Sequence, residues 1–124
     1  MVIMPPKYRG TREYDQARDL MIAAARAGQT IFYKPALTDI LGFEGAGDHI
    51  PRELGQLCGE ISDDEHDADR PLISALVINQ SNHPGTGFFE LARTLGLLRS
   101  RSKEAEDDYW IAELRRVHEF WRGR

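Results

Sequence analysis

The feature that most constrains the fold is the segment RPLISALVINQSNHPGTGFFELARTLG, residues 70–96. It begins with the nearly continuous apolar run PLISALVIN (71–79), which is rich in β-branched residues and predicts a strand covered on both faces. The run ends in QSNHPGTG, where asparagine, proline and two glycines indicate a turn. FFELARTLG then predicts a short helix that ends at Gly96. The turn is therefore expected to lead into a return strand or directly into this helix.

The first third of the chain predicts a helix, a short extended stretch and a second helix. Apolar residues recur at helical spacing over about residues 12–27, with Thr11 as N-cap and Gly28 as stop. TIFY (30–33) is rich in β-branched and aromatic residues, which predicts a short strand or extended link. KPALTDILG (34–42) has a proline at a suitable first helical position and a glycine at its end, which indicates a short second helix.

A glycine-rich turn, GFEGAGDH, is predicted to join this helix to a third one that Pro51 opens. Apolar residues of the third helix follow an i, i+4, i+7, i+8, i+11 pattern: Ile50, Leu54, Leu57, Cys58 and Ile61. SDDEHDADR (62–70) is polar and predicts a loop. After the basic stretch RSRSK, residues 103–122 predict the longest helix, whose apolar stripe is made of Trp110, Leu114, Val117 and Trp121.

A helix-turn-helix followed by a strand and turn is the order of a winged helix. We therefore expect an α+β fold: a single winged-helix-like domain over residues 1–124, mostly helical, with a small β-hairpin or wing and a long C-terminal helix. Residues 12–96 would form the winged-helix-like core, and 103–122 the C-terminal helix. A length of 124 residues leaves room for one hydrophobic core.

Composition narrows the class of protein. An apolar fraction of 41% and a net charge of −4 are typical of a globular chain. The sequence contains no apolar run near the roughly 20 residues that span a bilayer, so no membrane association is expected. The N-terminus lacks the order of a secretory signal, and the single cysteine, Cys58, suits a reducing compartment. We therefore expect a cytoplasmic protein in which Cys58 is a small buried apolar residue.

Charge is distributed unevenly along the chain. Residues 44–69 contain nine acidic residues and one basic residue, whereas residues 70–103 contain five basic residues and one acidic residue. The acidic average argues against strong non-specific DNA binding but leaves room for a local basic surface. The candidates for such a phosphate-facing surface are Arg93, Arg99, Arg101 and Lys103, with Lys7, Arg9 and Arg12. Arg52 and Gln56, near the start of the third helix, are the candidates for reading base edges.

The segment from Gln29 to Gly96 resembles the DNA-binding half of the O6-alkylguanine-DNA alkyltransferases and their alkyltransferase-like relatives. TIFYKPALTDILG is similar to the family's extended start and small helix, IPRELGQLCGEI to its recognition helix, and PLISALVIN to its active-site strand. The resemblance implies a winged-helix domain that binds double-stranded DNA. The run RPLISALVIN…PGTGFF is also similar to one in uncharacterised bacterial and phage proteins.

The family's active-site run, PCHR, is absent. Its cysteine and histidine positions fall on Ser74 and Ala75, and a serine without an adjacent base is a poor nucleophile. Alkyl transfer is therefore not expected. Where the family's recognition helix carries an arginine finger, this helix carries Glu53 and Glu60.

Three further segments, the acidic stretch, the HPGTG turn and the tryptophan stripe, can each be explained by structure alone as well as by a function. The acidic stretch does not have the spacing of a calcium-binding EF-hand loop and could be a surface for a basic protein partner: Asp63, Asp64, Glu65, His66 and Asp67. HPGTG (83–87) lacks the spacing of a phosphate-binding loop and indicates a tight turn with His83 exposed at its tip. The stripe containing Trp110 and Trp121 is expected to pack inward, or to form a homodimer surface.

Three functional hypotheses follow. The first is a non-catalytic winged-helix-like protein that binds double-stranded DNA and regulates a bacterial or phage process. The second is a protein-interaction module, such as a regulatory or anti-defence inhibitor, that uses the acidic stretch or the wing. The third is a small ligand-binding or enzyme domain with a pocket near residues 79–89. No catalytic constellation, cofactor site or metal site is recognisable in the sequence.

Overall fold

The computed structural model describes residues 6–43, 47 and 49–124. Its elements are α1 (Arg12–Arg26), β1 (Ile31–Phe32), α2 (Tyr33–Leu41), α3 (His49–Asp67), β2 (Val77–Ile78), α4 (Thr86–Thr94) and α5 (Lys103–Trp121). A 3₁₀ turn, Ile73–Leu76, leads directly into β2. Residues 44–46 and 48, the larger part of the predicted glycine-rich turn, lie outside the described residues. The expectation of a mostly helical α+β fold with a small sheet is confirmed.

Local sequence signals define the helix ends. The Thr11 hydroxyl accepts a hydrogen bond from the Tyr14 backbone nitrogen at 3.1 Å, which satisfies one of the free N–H groups at the start of α1. Gly28, just past the end of α1, has φ +68°, a conformation that favours glycine. In α5, the Ser102 hydroxyl caps the helix by accepting from the Ala105 nitrogen at 3.1 Å. The predicted bounds of both helices are therefore confirmed to within one residue.

The predicted β-hairpin or wing is wrong. The strands pair in parallel, with Ile31 opposite Val77 and Phe32 opposite Ile78, and the turn after β2 leads directly into α4. Only Val77 and Ile78 of the predicted strand at 71–79 form a paired strand, because Ile73–Leu76 form the 3₁₀ turn. An apolar run shows that a segment is buried without showing that it is a strand. The burial is confirmed, since every residue from 71 to 78 is buried.

The predicted polar loop at 62–70 is also wrong, because α3 continues to Asp67. Its last turns carry acidic side chains that bind arginines from other parts of the chain. Asp63 and Glu65 have 2% and 1% of their surface exposed, respectively, although both are charged residue types. Polarity alone predicted a solvated loop, whereas arginine partners allow these carboxylates to be buried in a helix.

The hydrophobic core lies where α1, α3, the 3₁₀ turn and α5 meet. Leu54, Leu57 and Ile61 of α3 are buried, as the helical spacing predicts. Val117 and Trp121 of α5 close the other side. This arrangement leaves one face of α3 toward β2 and the start of α4, and that face forms the site described next.

Candidate functional site

A cavity of about 490 Å³ lies between α3, β2 and α4. We call it the α3–α4 cavity. Its lining is mainly apolar and glycyl, and comes from three stretches of chain together with Tyr33. The residues that matter below are Gly55, Cys58, Gly59, Ser74, Asn79, Gly85, Thr86 and Phe88. This volume is within the usual range of small-molecule sites.

Part of the α3 side of the cavity is bare backbone. Gly55 and Gly59 both line it, and a Cβ atom added to either would meet nothing within 4 Å. Gly87, on the α4 side, lies close to Gly55: a Cβ on Gly87 would be 3.9 Å from the Cα of Gly55. The sequence patterns did not single out these glycines, although two glycines inside an amphipathic helix pattern are an available signal.

The opposite wall is held by the turn between β2 and α4. The Asn79 side-chain oxygen accepts from the Ser81 nitrogen at 2.8 Å, and the Asn79 nitrogen donates to the His83 carbonyl at 2.9 Å. Asn82 adopts φ +57°, which asparagine tolerates better than most residues. Gly85 then starts α4 without a side-chain cap. The predicted turn is confirmed, and it shapes one side of the cavity.

His83 is not the exposed loop tip that the sequence suggests. Its Nε2 lies 2.9 Å from Asp107 Oδ1, and its ring lies against Phe89 and Trp110, with centroids 5.5 and 5.2 Å away. Its Nδ1 lies 3.1 Å from the Pro84 carbonyl oxygen. The histidine therefore attaches the cavity wall to α5.

The Ser74 side chain is buried at the cavity and pairs with a second serine. The Ser62 hydroxyl donates to the Ser74 hydroxyl at 2.6 Å and accepts from the Ser74 nitrogen at 3.0 Å. Cys58 also lines the cavity, and burial raises the pKa of its thiol to about 12. A thiol with that pKa stays protonated at neutral pH and is a weak nucleophile. Ser74 and Cys58 therefore contribute a paired hydroxyl and a protonated thiol to the cavity wall.

Glu60 connects α3 to the N-terminal segment. Its carboxylate accepts from the backbone nitrogens of Lys7, Tyr8 and Arg9 at 2.9–3.2 Å, and from the Gln56 side chain at 2.6 Å. Burial opposes ionisation of Glu60, but these hydrogen bonds together hold its pKa below the usual value. The predicted base-reading role of Gln56 is thus not supported, because its side chain is buried and bonded within the protein.

The acidic stretch proposed as a partner surface is largely used inside the molecule. Arg9 binds Asp63 at 3.1 Å and Asp64 at 2.8 Å, while Glu65 binds both Arg18 and Arg70. Carboxylate oxygens of Asp63, Asp64 and Asp67 come within 4.8 Å of one another, but the Arg9 guanidinium already neutralises two of the three. Of the five proposed partner-binding residues, Asp67 is exposed, and Asp64 and His66 are partly exposed.

The predicted basic surface is only partly available. Arg93 has a side chain that is 10% exposed and is bound to Glu90 and Glu106, so its assignment as a phosphate contact is not supported. Arg52 and Arg99 are exposed. Arg101 and Lys103 are 74% and 78% exposed, with weak surface pairs to Glu90 at 3.3 Å and Asp107 at 3.6 Å. Lys7 and Arg9 are paired with acids of α3.

The tryptophan stripe of α5 packs inward. Trp121 is buried, and the Trp110 indole nitrogen donates to the Ala75 carbonyl oxygen at 2.8 Å. The two tryptophans of this stripe therefore offer no exposed aromatic face of the kind that a homodimer surface would use. Ile111, on the other side of α5, is 51% exposed as a single residue.

A scan against protein-family models, a search of curated proteins and a search of solved structures all find no match for this chain. Within residues 6–43, 47 and 49–124, no helix has the length and apolar character needed to cross a bilayer.

Proposed function

We propose that this protein is a non-enzymatic receptor for a small molecule, which it binds in the α3–α4 cavity. The observation that carries the proposal is a cavity of about 490 Å³ with two helical glycines in its wall. Such concave sites with mainly apolar walls and a few polar groups are typical of small-molecule binding. The cavity includes most of the stretch 79–89, where the sequence suggested a pocket.

The non-enzymatic part of the proposal rests on the chemistry of the lining. Ser74 is paired with another hydroxyl, and Cys58 carries a thiol with a raised pKa. Within the described part of the lining, no histidine or free carboxylate lies in hydrogen-bond contact with either group. A positioned base is the usual requirement for activating a serine. Binding is therefore the activity that the cavity supports best.

A fragment screen by ligand-observed NMR tests the proposal, with each hit located from backbone amide shifts of isotope-labelled protein. We expect hits that move the signals of Gly55, Gly59 and Thr86. Gly59→Leu should abolish them by filling the cavity, whereas Ala23→Leu, at an exposed position of α1, should not. Screening without any hit at the cavity, or hits that Gly59→Leu leaves unchanged, would contradict the proposal.

Double-stranded DNA is a second candidate ligand, favoured by one observation. Arg52, Arg99, Arg101 and Lys103 keep exposed side chains, and exposed cations supply most of the affinity for phosphates. We rank DNA second because the side chains of Gln56 and Arg93, two of the predicted DNA contacts, bind Glu60 and Glu106 within the protein.

A further inference from the structure

Gly55 and Gly59 stand in α3 without a conformational or steric reason within the described chain. Glycine in a helix interior is less favourable than alanine because it leaves the unfolded chain more freedom. Neither glycine has a positive φ, and a Cβ on either would enter open space. The fold alone would thus be more stable with alanine at both positions. A ligand that occupies the space next to the α3 backbone would account for glycine at both positions.

The spacing of the two glycines describes the shape of that space. Residues four apart lie on one face of a helix, and a rise of about 1.5 Å per residue places them about 6 Å apart along the axis. Without side chains, this strip of α3 leaves the helix backbone open to the cavity. One or two fused flat rings can contact the strip over their whole face, whereas a puckered ring makes fewer contacts with it.

The facing wall contains an aromatic ring in a fixed position. Phe88 is buried and lines the cavity. Its ring packs against Phe89 at 5.3 Å and against Tyr109 at 5.9 Å between centroids. A ring held on two sides is a rigid surface for apolar contact. Aromatic groups gain energy beyond simple burial when they pack against such a ring.

Two polar side chains at the cavity can donate a hydrogen bond to a ligand, Ser74 and Asn79. Ser62 donates to Ser74, so the Ser74 hydroxyl proton is available to an acceptor. The Asn79 side-chain oxygen is occupied by Ser81, whereas its amide nitrogen has no acceptor among the described residues. A ligand that bonds to both of these donors carries a hydrogen-bond acceptor.

We infer that the α3–α4 cavity takes a flat aromatic ring bearing a hydrogen-bond acceptor, such as a carboxylate or carbonyl oxygen. The ring lies on the backbone of Gly55 and Gly59, and the acceptor points toward Ser74 and Asn79. This inference rests on the proposed function and narrows its ligand class. Flatness and the acceptor are separate parts of it, and each is tested by a different probe.

Titration calorimetry with three probes tests the inference: 2-naphthoate, its saturated analogue decahydro-2-naphthoate, and 2-naphthylamine. The first is flat with an acceptor, the second is puckered, and the third is flat with a donor. We expect 2-naphthoate to bind at least about tenfold more tightly than either of the others. Gly55→Ala and Gly59→Ala should each weaken 2-naphthoate binding while raising the melting temperature. Ala23→Leu should leave binding unchanged.

The possible failures are distinguishable. Equal affinity for 2-naphthoate and decahydro-2-naphthoate, or unchanged affinity in both alanine variants, overturns the flat-ring part and leaves the proposed function in place. Equal affinity for 2-naphthylamine overturns the acceptor part. If none of the probes binds but the fragment screen finds other compounds in the cavity, the inference fails alone. If the screen also finds none there, the proposed function fails with it.

Discussion

The hydroxyl of Ser62 and the hydroxyl of Ser74 form a 2.6 Å hydrogen bond between α3 and the buried 3₁₀ turn. The same Ser62 oxygen accepts from the Ser74 backbone nitrogen at 3.0 Å. Both residues are buried, so each group depends on the other for a partner. The pair therefore fixes the distance between α3 and the cavity's inner wall.

Ser62→Ala should destabilise the protein by about 1–3 kcal/mol, because it leaves the buried Ser74 nitrogen without an acceptor. Urea unfolding followed by circular dichroism measures this. Ser81→Ala, at an exposed position of the turn, serves as the control and should change stability by less than about 0.5 kcal/mol. Equal stability of the two variants would mean that the Ser62–Ser74 contact is not formed in solution.

Leu57→Ala should cost about 2–5 kcal/mol, because Leu57 is completely buried in the core and its truncation leaves a cavity. Thermal and urea unfolding both measure the change. Leu97→Ala makes the same truncation at a side chain that is 39% exposed and should have a much smaller effect. An unchanged melting temperature for Leu57→Ala would contradict the placement of α3.

Acid should weaken the attachment of the N-terminal segment to α3. Burial by itself would raise the pKa of Glu60 and that of Asp64, but hydrogen bonds outweigh it and lower both values in the folded state. Glu60 accepts from Gln56 and from the backbone at residues 7–9. Asp64 accepts from Arg9 and Tyr14. Because the folded pKa values lie below the unfolded ones, the stabilisation is present above about pH 4, the unfolded range, and is lost as pH falls through the folded values.

Glu60→Gln should therefore lower the unfolding free energy at pH 7 and reduce its dependence on pH below about 4. Urea titrations across the acid range measure both effects. Glu119→Gln, at an exposed position of α5, is the control and should behave as the wild type. A parallel pH profile for Glu60→Gln and the wild type would contradict the described role of Glu60.

The helix spacing predicted most of the fold, because local signals decide helix ends and buried faces. Thr11, Gly28 and the apolar series in α3 all lie where the pattern places them. The parallel pairing of Ile31 with Val77 depends on two segments far apart in the chain, and no local pattern encodes it. The predicted hairpin was wrong for that reason.

The site was predicted less well, because charge in a sequence does not reveal its partners. The sequence predicts Arg93 and Gln56 as surface contacts, whereas in the structure they bind Glu106 and Glu60. The polarity of the acidic end of α3 predicts a loop, because the arginines that neutralise it come from the distant residues 9 and 18, together with residue 70, and this pairing is not visible in the local pattern. The sequence predicts a pocket near residues 79–89, but it does not predict that the glycines of α3 complete this pocket.

The DNA candidate predicts a measurable salt dependence. If duplex DNA binds, replacing both Arg99 and Arg101 with alanine should reduce the slope of log affinity against log salt by up to about two units, at roughly 0.9 per phosphate contact. Gln56→Ala should not relax sequence preference, since its side chain is buried. Titration of mixed-sequence duplex at low salt measures this, and absence of binding at tens of micromolar removes the candidate.

The two glycines of the cavity should be sites where stability and binding oppose each other. Gly55→Ala and Gly59→Ala should each stabilise the ligand-free protein by about 0.5–1 kcal/mol, because alanine is the better helix former and open space receives its methyl group. Urea unfolding measures the change. Destabilisation by either variant would show that its Cβ meets atoms that the structure places elsewhere.

The most direct measurement of the central claim is a crystal structure of the protein soaked with the tightest-binding compound from the fragment screen. The account predicts electron density for that compound between α3 and α4, in contact with Gly55 and Gly59 and within hydrogen-bond distance of Ser74 or Asn79. Density for the compound at any other surface, with the α3–α4 cavity holding only water, would contradict the account.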